Sequence, residues 1–502
     1  MALEPVYETI NFNCKKCELK EQIKVECGAV SSEDVSSVLS VSAWANVNET
    51  EAKDGQINYS GRATFFISYL STDGQIKKTE CGSEFRGTIK DERITESAKV
   101  YADAVIDKAE TDTSGVKLVA KAFVTVSVEI SDCTPYRALS GGDNLILNAG
   151  ETPVIRSYSA KKTVYPIEEQ YELPYAVSEV LSHGAHAVIT AVQCGVSSII
   201  VDGEVITSAI ALQKSSQNDI IKENRNFAFR AELECEDAMP SMTATARVKE
   251  KAFKIDVAVD EENGKSAVTV SVTLVFDGEA FSEEMVSVAT DAFSTERELE
   301  VIKTELPYYK ACDLRSVNCA VSGRAVISEL PPSATILAVG GEKAELLSTV
   351  CGQGQTTITG VLSAVAYLRD GDGRVFTENI ETPFESVIDC AFSCDTELSV
   401  RLKATRGRAK IVTLTEIELE SEIIVTVYPT ERQSVRLVGE IKAGKEKSAE
   451  KSGISVYIAQ DGEEQWELAK RINVCPDEIS RINPDLQFPL TGKERIIIYR
   501  QK

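Results

Sequence analysis

Three long stretches of alternating apolar and polar residues are the strongest constraint on the fold of this chain. Side chains on every second residue face the same side of a β-strand, so each stretch predicts a strand with one packed face and one wet face. The apolar positions are Ala122, Val124, Val126, Val128 and Ile130, then Val268, Val270, Val272, Leu274 and Phe276, then Ile417, Leu419, Ile423, Val425 and Val427.

Each alternating stretch closes a longer repeated unit. Pro5 and Pro153 lie in matching lead-in segments 148 positions apart (153 − 5), and a fainter copy lies around residues 296–321. A glycine is expected to open the next strand of each unit, and the three glycines are Gly61, Gly203 and Gly360. Such internal similarity indicates one structural unit used three times.

Short β-branched strands separated by Asp-Gly and Asn-Gly turn signals predict a mainly β chain. We expect three tandem β-sandwich-like domains at residues 1–147, 148–295 and 296–439. The second unit is the most divergent, because it lacks the tyrosine that the other two carry at Tyr69 and Tyr367. A charged run over residues 440–452 then predicts a solvated flexible linker.

Composition narrows the function. The chain has 502 residues, of which 43% are hydrophobic, and a formal net charge of −24. This length and apolar content allow several domains that each bury a core. Non-specific nucleic-acid binding and binding to anionic membranes depend on Lys and Arg, so the acidic charge argues against both.

The N-terminus and the cysteines favour a protein that stays inside the cell. The first residues lack a basic segment followed by an apolar one, so no secretory signal is expected. The chain has 13 cysteines, an odd number without a small-domain disulfide framework, which suggests reduced cytosolic thiols. Cys14 and Cys17 have metal-ligand spacing, but one such pair is half a zinc site, so no metal is predicted.

No catalytic or cofactor motif is found in the sequence. His183 and His186 are the only histidines, and a glutamate does not follow His183 as in a zinc-peptidase motif. Gly264-Lys265-Ser266 resembles the end of a phosphate-binding loop, but Val259 stands where that motif needs a glycine. We therefore expect a non-enzymatic protein without a cofactor.

The C-terminal residues 453–502 predict a compact βααβ module. Trp466, Leu468 and Ile472 have helical spacing, Pro476 opens a second helix, and Ile496 and Ile498 alternate in a closing strand. The stretches 462–469 and 479–484 resemble, at the right separation, the two motifs of LysM domains. The resemblance implies a non-catalytic binding module, of a type that most often binds N-acetylglucosamine glycans.

Tandem acidic β-rich units followed by a LysM module resemble the SPOCS-domain proteins of spore-forming bacteria. This resemblance covers essentially the whole chain. It implies a spore-coat morphogenesis protein, located in the mother-cell cytoplasm at the forespore surface. The expected partners are the morphogenetic ATPase of the coat's basement layer and other coat proteins.

The LysM resemblance also places a binding groove between two loops. The nine groove residues are Asp461, Gly462, Glu463, Glu464, Gln465, Asn483, Pro484, Asp485 and Leu486. Glu463 and Glu464 replace the family's usual Asp-Thr, and two carboxylates would favour a basic protein patch over a neutral sugar. Protein–protein interaction is therefore expected first, with binding to peptidoglycan glycan as the alternative.

Overall fold

The fold is known from a computed structural model, which describes residues 4–214, 219–352, 354–389, 392, 396–447 and 453–500. The side chains of residues 13–16, 134 and 500 are not described. The expectation of a mainly β chain is confirmed: within these residues there are 22 strands and two short helices. None of the described helices is long and apolar enough to cross a membrane.

The first unit has six strands: β1 (Glu4–Val30), β2 (Val35–Lys53), β3 (Gln56–Ser71), β4 (Ile76–Lys90), β5 (Lys99–Ser114) and β6 (Lys117–Asp143). They form two three-stranded antiparallel sheets, in the orders β1-β6-β5 and β2-β3-β4.

The second unit repeats this order, with its lead-in divided into two strands. The strands are β7 (Ile146–Ser159), β8 (Thr163–Leu173), β9 (Val177–Cys194), β10 (Ser198–Gln213), β11 (Ile220–Glu234), β12 (Thr243–Asp260) and β13 (Lys265–Phe293). The lead-in strands β7 and β8 both pair with the long closing strand β13, which also pairs with β12. Strands β9, β10 and β11 form the other sheet.

The third unit has the same arrangement. The strands are β14 (Arg297–Ala311), β15 (Arg315–Val326), β16 (Thr335–Cys351), β17 (Thr356–Arg369), β18 (Val375–Ile388), β19 (Thr396–Thr413) and β20 (Glu416–Glu446). Strands β14, β15 and β19 pair with the closing strand β20, and β16, β17 and β18 form the second sheet.

The alternating stretches lie in β6, β13 and β20, and their apolar side chains form the cores between the two sheets of each unit. In the first unit, Val124, Val126 and Val128 are completely buried. Removing one such side chain from water is worth about 1.5–3 kcal/mol. The period-two pattern is therefore the direct record of which face of each closing strand is packed.

Each repeated glycine lies inside a strand, so the expectation that it opens the strand was wrong. Gly61 pairs across β3 and β4 with Phe85, and a Cβ on Gly61 would lie 2.3 Å from the ring of that phenylalanine. Gly203 and Phe229, and Gly360 and Phe384, repeat this relationship. The missing side chain gives room for the phenylalanine ring to lie across the strand, which explains why each unit needs a glycine there.

Tyr69 and Tyr367, which the sequence aligns, lie on opposite faces of their strands. Tyr69 is eight residues after Gly61, which places it on the same strand face as that glycine, toward the core of its own unit. Tyr367 is seven residues after Gly360, so it points away from its own core. The tyrosines are therefore not equivalent, and the equivalent of Tyr367 in the second unit is Ile210.

The three units pack around a common centre and form one body. One apolar cluster lies between long strands of all three units and includes Phe12 from the first unit, Phe281 from the second and Tyr308 from the third. A second cluster joins the hairpin sheets, with contributions that include Ile210 and Tyr367. The Tyr367 hydroxyl lies 2.6 Å from Ser40 Oγ in the first unit.

The C-terminal module consists of β21 (Gly453–Ile458), α1 (Gln465–Ile472), α2 (Pro476–Ile482) and β22 (Arg495–Arg500). Strand β20 continues to Glu446, and its end over residues 440–446 pairs with β14. The prediction that these residues form a flexible linker is therefore wrong. Their apolar members are the reason, because Ile441 is buried between the units. Lys447 follows the strand, and its backbone amide donates to the Glu296 carbonyl at 2.8 Å. The last residues of that expected linker, 448–452, lie outside the described part of the chain.

Candidate functional site

The C-terminal module has its own small apolar core. Leu468, Ala469 and Ile472 of α1 pack against Ile479 of α2 and against Ile496 and Ile498 of β22, and all six are buried. These are the positions that have helical spacing and strand alternation in the sequence. They fix the two loops on which the groove residues were expected.

Glu463 does not charge the surface of the first loop, contrary to the expectation. Its side chain is buried, and both carboxylate oxygens accept hydrogen bonds from Arg471, at 2.6 and 2.8 Å. One of these oxygens also accepts a hydrogen bond from the backbone N–H of Gln460, at 3.0 Å. The Arg471 hydrogen bonds hold the pKa of the Glu463 carboxyl below its usual value, although burial opposes this. Glu463 is thus a structural carboxylate of the module.

The neighbours of Glu463 have different roles. Glu464 is exposed and is the N-cap residue of α1. Gln465 connects the two helices, since its side-chain amide donates to the Pro476 carbonyl at 3.0 Å and to Ser480 Oγ at 2.7 Å. Asp461 and Gly462 are exposed. The first loop therefore presents Asp461, Gly462 and Glu464 to a ligand.

The second loop is anchored by Asn483. Its side-chain amide donates to the Ile479 and Ile497 carbonyls, and its side-chain oxygen accepts from the Ile497 amide at 2.8 Å. Leu486 is partly buried against the module core, whereas Pro484 and Asp485 are exposed. Hydrogen bonds tie the first loop to Leu490, which follows the second loop. Five of the nine expected residues thus remain accessible.

The two-stranded sheet of the module has an exposed apolar face that was not predicted from the sequence. Five large side chains on the outer side of β21 and β22 are 39% to 69% exposed. They are Ile454, Val456, Ile458, Ile497 and Tyr499. Cross-strand pairing places Ile454 opposite Tyr499 and Val456 opposite Ile497. The signal in the sequence was the run from Ile496 to Tyr499, which makes both faces of β22 apolar, whereas a sheet that is covered on one side needs only one apolar face.

The opposite side of the module is docked on the end of the second unit. Trp466 packs edge-on against Phe293, with ring centroids 5.1 Å apart, and its indole Nε1–H donates to Asp291 Oδ2 at 2.9 Å. Lys470 donates to the same oxygen at 2.9 Å. The Asn473 side chain donates to the Thr295 carbonyl at 2.8 Å. Trp466 is therefore a contact between modules, and the apolar face is presented from a fixed position.

The electrostatics of this contact favour an ionised Asp291. Burial raises the pKa of the Asp291 carboxyl, but hydrogen bonds from Trp466 and Lys470 outweigh burial and lower the pKa overall. Lys303 also lies 3.4 Å from the other carboxylate oxygen. Asp291 is thus the charged centre of the contact.

The other sequence candidates do not form a reactive centre in the described residues. His183 lies between the rings of Phe66 and Phe253, with centroids 4.6 and 5.0 Å away. His186 lines a cavity between the units. Burial is the main cause that lowers the pKa of His183 to about 4 and that of His186 to about 3, so both rings are neutral. Gly264 lies in the turn between β12 and β13.

Several of the described cysteines contribute to packing. Cys17 and Cys27 pack against the core of the first unit, and burial raises the pKa of Cys81 to about 12, which leaves a neutral thiol. The Cys14 side chain, as well as Cys390 and Cys394, lies outside the described residues. Among the side chains that are described, no group of three or more His, Cys, Asp or Glu has the geometry to hold a metal ion.

Comparison of the chain with models of known protein families, with curated proteins and with solved structures finds no match in any of the three.

Proposed function

We propose that the chain is a non-catalytic assembly protein of the bacterial spore coat, of the SipL type. It acts in the mother-cell cytoplasm at the surface of the forespore during sporulation. Its C-terminal LysM-like module docks the morphogenetic ATPase of the coat's basement layer. The support from the sequence is the pair of LysM-like motifs behind three acidic β units.

The observation that carries this proposal is the apolar face formed by Ile454, Val456, Ile458, Ile497 and Tyr499. Contiguous exposed apolar side chains are characteristic of surfaces that bind proteins. Within the described residues, β21 and β22 pair only with each other, so each also has an open edge for an added strand. A protein partner can pack against the apolar side chains and can also add a strand to an open edge. A glycan has no peptide backbone with which to extend the sheet.

The three β units contribute placement and valency. They form one body, and Trp466 and Asp291 hold the end module on it, so the partner surface has a fixed orientation. Weak contacts from several surfaces of one body raise the effective concentration of each for the next. Such a protein can join a basement layer and other coat proteins without catalysis.

Peptidoglycan glycan is the second candidate ligand, and the position of Glu463 favours it. Because Glu463 is turned inward and paired with Arg471, the first loop presents one carboxylate fewer than the sequence suggests. An N-acetylglucosamine chain would then bind along Asp461, Gly462, Pro484 and Asp485, on the exposed part of the two loops.

The test compares fluorescent fusions in sporulating cells with pull-downs by the purified ATPase and by washed peptidoglycan. The variants are a chain ending at Lys451, the face variant Val456→Asp, the loop variant Asp485→Lys and the exposed control Lys493→Glu. We expect the full chain and the control to ring the forespore and bind the ATPase. Truncation and Val456→Asp should abolish both, with Asp485→Lys unaffected.

The opposite pattern identifies the glycan. If Asp485→Lys loses binding to peptidoglycan while Val456→Asp keeps its position in the cell, the loops rather than the apolar face carry the function. If the full chain does not reach the forespore at all, the coat proposal is wrong.

A further inference from the structure

The two strands of the C-terminal module differ in how much of their outer edges is available to a partner. At the edge of β22, the Asn483 side chain forms two hydrogen bonds with the backbone of Ile497. Its Nδ2–H donates to the Ile497 carbonyl and its Oδ1 accepts from the Ile497 N–H, both at 2.8 Å. A strand added to β22 would have to displace this side chain.

The same hydrogen bonds show which backbone groups of β21 point away from β22. Since the N–H and carbonyl of Ile497 face the loop side chain, Ile497 and its cross-strand partner Val456 form a non-hydrogen-bonded pair. The direction of these groups alternates along a strand, so Ile454 and Ile458 also direct theirs outward. The Ile458 carbonyl agrees with this, because it accepts from Arg471 Nη2 at 3.2 Å.

Four backbone groups on the edge of β21 are therefore available. They are the N–H and carbonyl groups of Ile454 and Val456, which have no hydrogen-bond partner among the described residues. Natural sheets protect exposed edges with charged residues or proline. Strand β21 (Gly453–Ile458) contains neither. Its edge is thus a template for pairing with a strand of another protein.

The apolar face beside this edge also has a charge preference. The register places Arg495 on the outer face of the sheet, opposite Ile458. Arg495 is exposed and forms no ion pair with any carboxylate in the described part of the chain. The other side chains of this face are apolar, so an acidic residue of the partner would complement the face at this end.

We propose that the partner binds through an extended segment that adds a strand to the edge of β21. Its backbone bonds the N–H and carbonyl groups of Ile454 and Val456, over about five residues, the length of the edge as far as Ile458. Its alternate side chains are apolar and widen the apolar face, and an acidic residue lies near Arg495. This inference rests on the proposed function, in which that face docks a coat protein, and specifies how the partner is recognised.

A backbone ester in the full chain, prepared by semisynthesis, tests the added strand. An ester between Ser455 and Val456 replaces the Val456 N–H by oxygen and leaves every side chain in place. We expect this chain to bind the purified ATPase about tenfold more weakly, a factor that corresponds to about 1.4 kcal/mol and to the loss of one hydrogen bond.

The matched control is an ester between Ile498 and Tyr499. Tyr499 lies opposite Ile454, so its N–H also points away from the strand pair, but at the edge of β22. Because no strand is added there, the control should bind the ATPase like the wild type. Both ester chains should have the unfolding temperature of the wild type, since neither ester removes a hydrogen bond between β21 and β22.

Amide hydrogen exchange on the wild-type chain is a second measurement that does not depend on any variant. Binding of the ATPase should slow exchange at Ile454 and Val456, whereas the Ile497 amide, which already donates to Asn483, should change little. No added protection at Ile454 and Val456 overturns the proposal. If both amides are protected by self-association of the free chain, a second copy occupies the edge and the proposal is wrong.

The outcomes separate this inference from the proposed function. If the wild-type chain does not bind the ATPase, the proposed function is wrong, and so is this inference. If the wild type binds and the Val456 ester binds equally well, the apolar face docks the partner without an added strand, and only the inference is overturned. Arg495→Glu should also weaken binding, and unchanged binding by this variant overturns the acidic position in the partner segment.

Discussion

Trp466 and Asp291, which lie 175 positions apart in the sequence, join the C-terminal module to the second β unit through one hydrogen bond of 2.9 Å. The same carboxylate also accepts a hydrogen bond from Lys470 and forms an ion pair with Lys303, so three side chains are held by Asp291. The sequence predicts a flexible linker in front of this module, but in the structure the module is held against the second β unit.

Asp291→Ala should release the module from the β units. Hydrogen bonds to a charged group contribute about 1.5–3 kcal/mol each, and the loss leaves Lys470 without its partner. In a Trp44→Phe background, Trp466 is the only tryptophan, so its fluorescence reports the contact. We expect a red-shifted emission in Asp291→Ala. Asp461→Asn, which removes an exposed charge from the same module, should leave the emission unchanged; a red shift there of equal size would contradict the assignment to docking.

Glu129 is the second site where one carboxylate joins several units. It accepts from Arg247 of the second unit at 2.5 Å, and from Arg401 and Ser399 of the third unit at 3.2 and 3.0 Å. The side chain is only 14% exposed. Removing one partner of a buried ion pair costs about 3–5 kcal/mol, because the other charge stays buried.

We therefore expect Glu129→Gln to lower the free energy of unfolding by that amount in urea denaturation. Glu110→Gln is the matched control, since Glu110 pairs with Lys108 on the exposed surface, where such pairs contribute about 0–1 kcal/mol. If both variants lose the same stability, the buried cluster does not hold the units together.

The repeated glycine and phenylalanine pair gives a prediction for the core of each unit. In Gly203→Ala the new Cβ would lie 2.3 Å from the Val188 carbonyl oxygen and 2.4 Å from the Phe229 ring. Overpacking of this kind costs about 1–3 kcal/mol or more. Gly28→Ala is the control, because nothing lies within 4 Å of its Cβ and its backbone is not left-handed. Thermal unfolding should show a lower unfolding temperature for Gly203→Ala and an unchanged one for Gly28→Ala.

The sequence predicted the parts of the fold that depend on local patterns. Alternation located β6, β13 and β20, and helical spacing located α1, because each pattern records one packed face. The packing of the units around a centre could not be predicted, since it depends on contacts between residues far apart in the sequence, both apolar ones and polar ones such as Glu129 and Arg401. These are 272 positions apart and look like ordinary surface charges.

The candidate site shows the same limit. The sequence located the two loops but assigned Glu463 to their surface, because its neutralising partner Arg471 is recognisable only when the helix is folded. The apolar face was overlooked because its residues read as ordinary strand core. Exposure depends on the number of layers that cover a sheet, and a pattern within one strand does not contain that number.

The two histidines predict how stability depends on pH. Burial is the main cause that lowers the pKa of His183 to about 4 and of His186 to about 3, with Lys78 and Lys403 adding to the effect. Unfolded histidine titrates near 6.5. The unfolded chain therefore binds more protons below pH 6.5, so the stability contributed by the neutral rings is present above that pH and is lost as the pH falls toward the folded values.

Each histidine should lower the free energy of unfolding by up to about 1.4 kcal/mol for every pH unit that the pH falls below 6.5. Since the chain has only these two histidines, His183→Gln/His186→Gln should flatten the stability curve between pH 6.5 and 5. The measurement is the urea midpoint at several pH values for the wild type and the double variant. Lys254→Met, which alters an exposed ion pair, should keep the wild-type slope. A wild-type midpoint that is constant from pH 7 to 5 would show that the two rings are not buried in the neutral form.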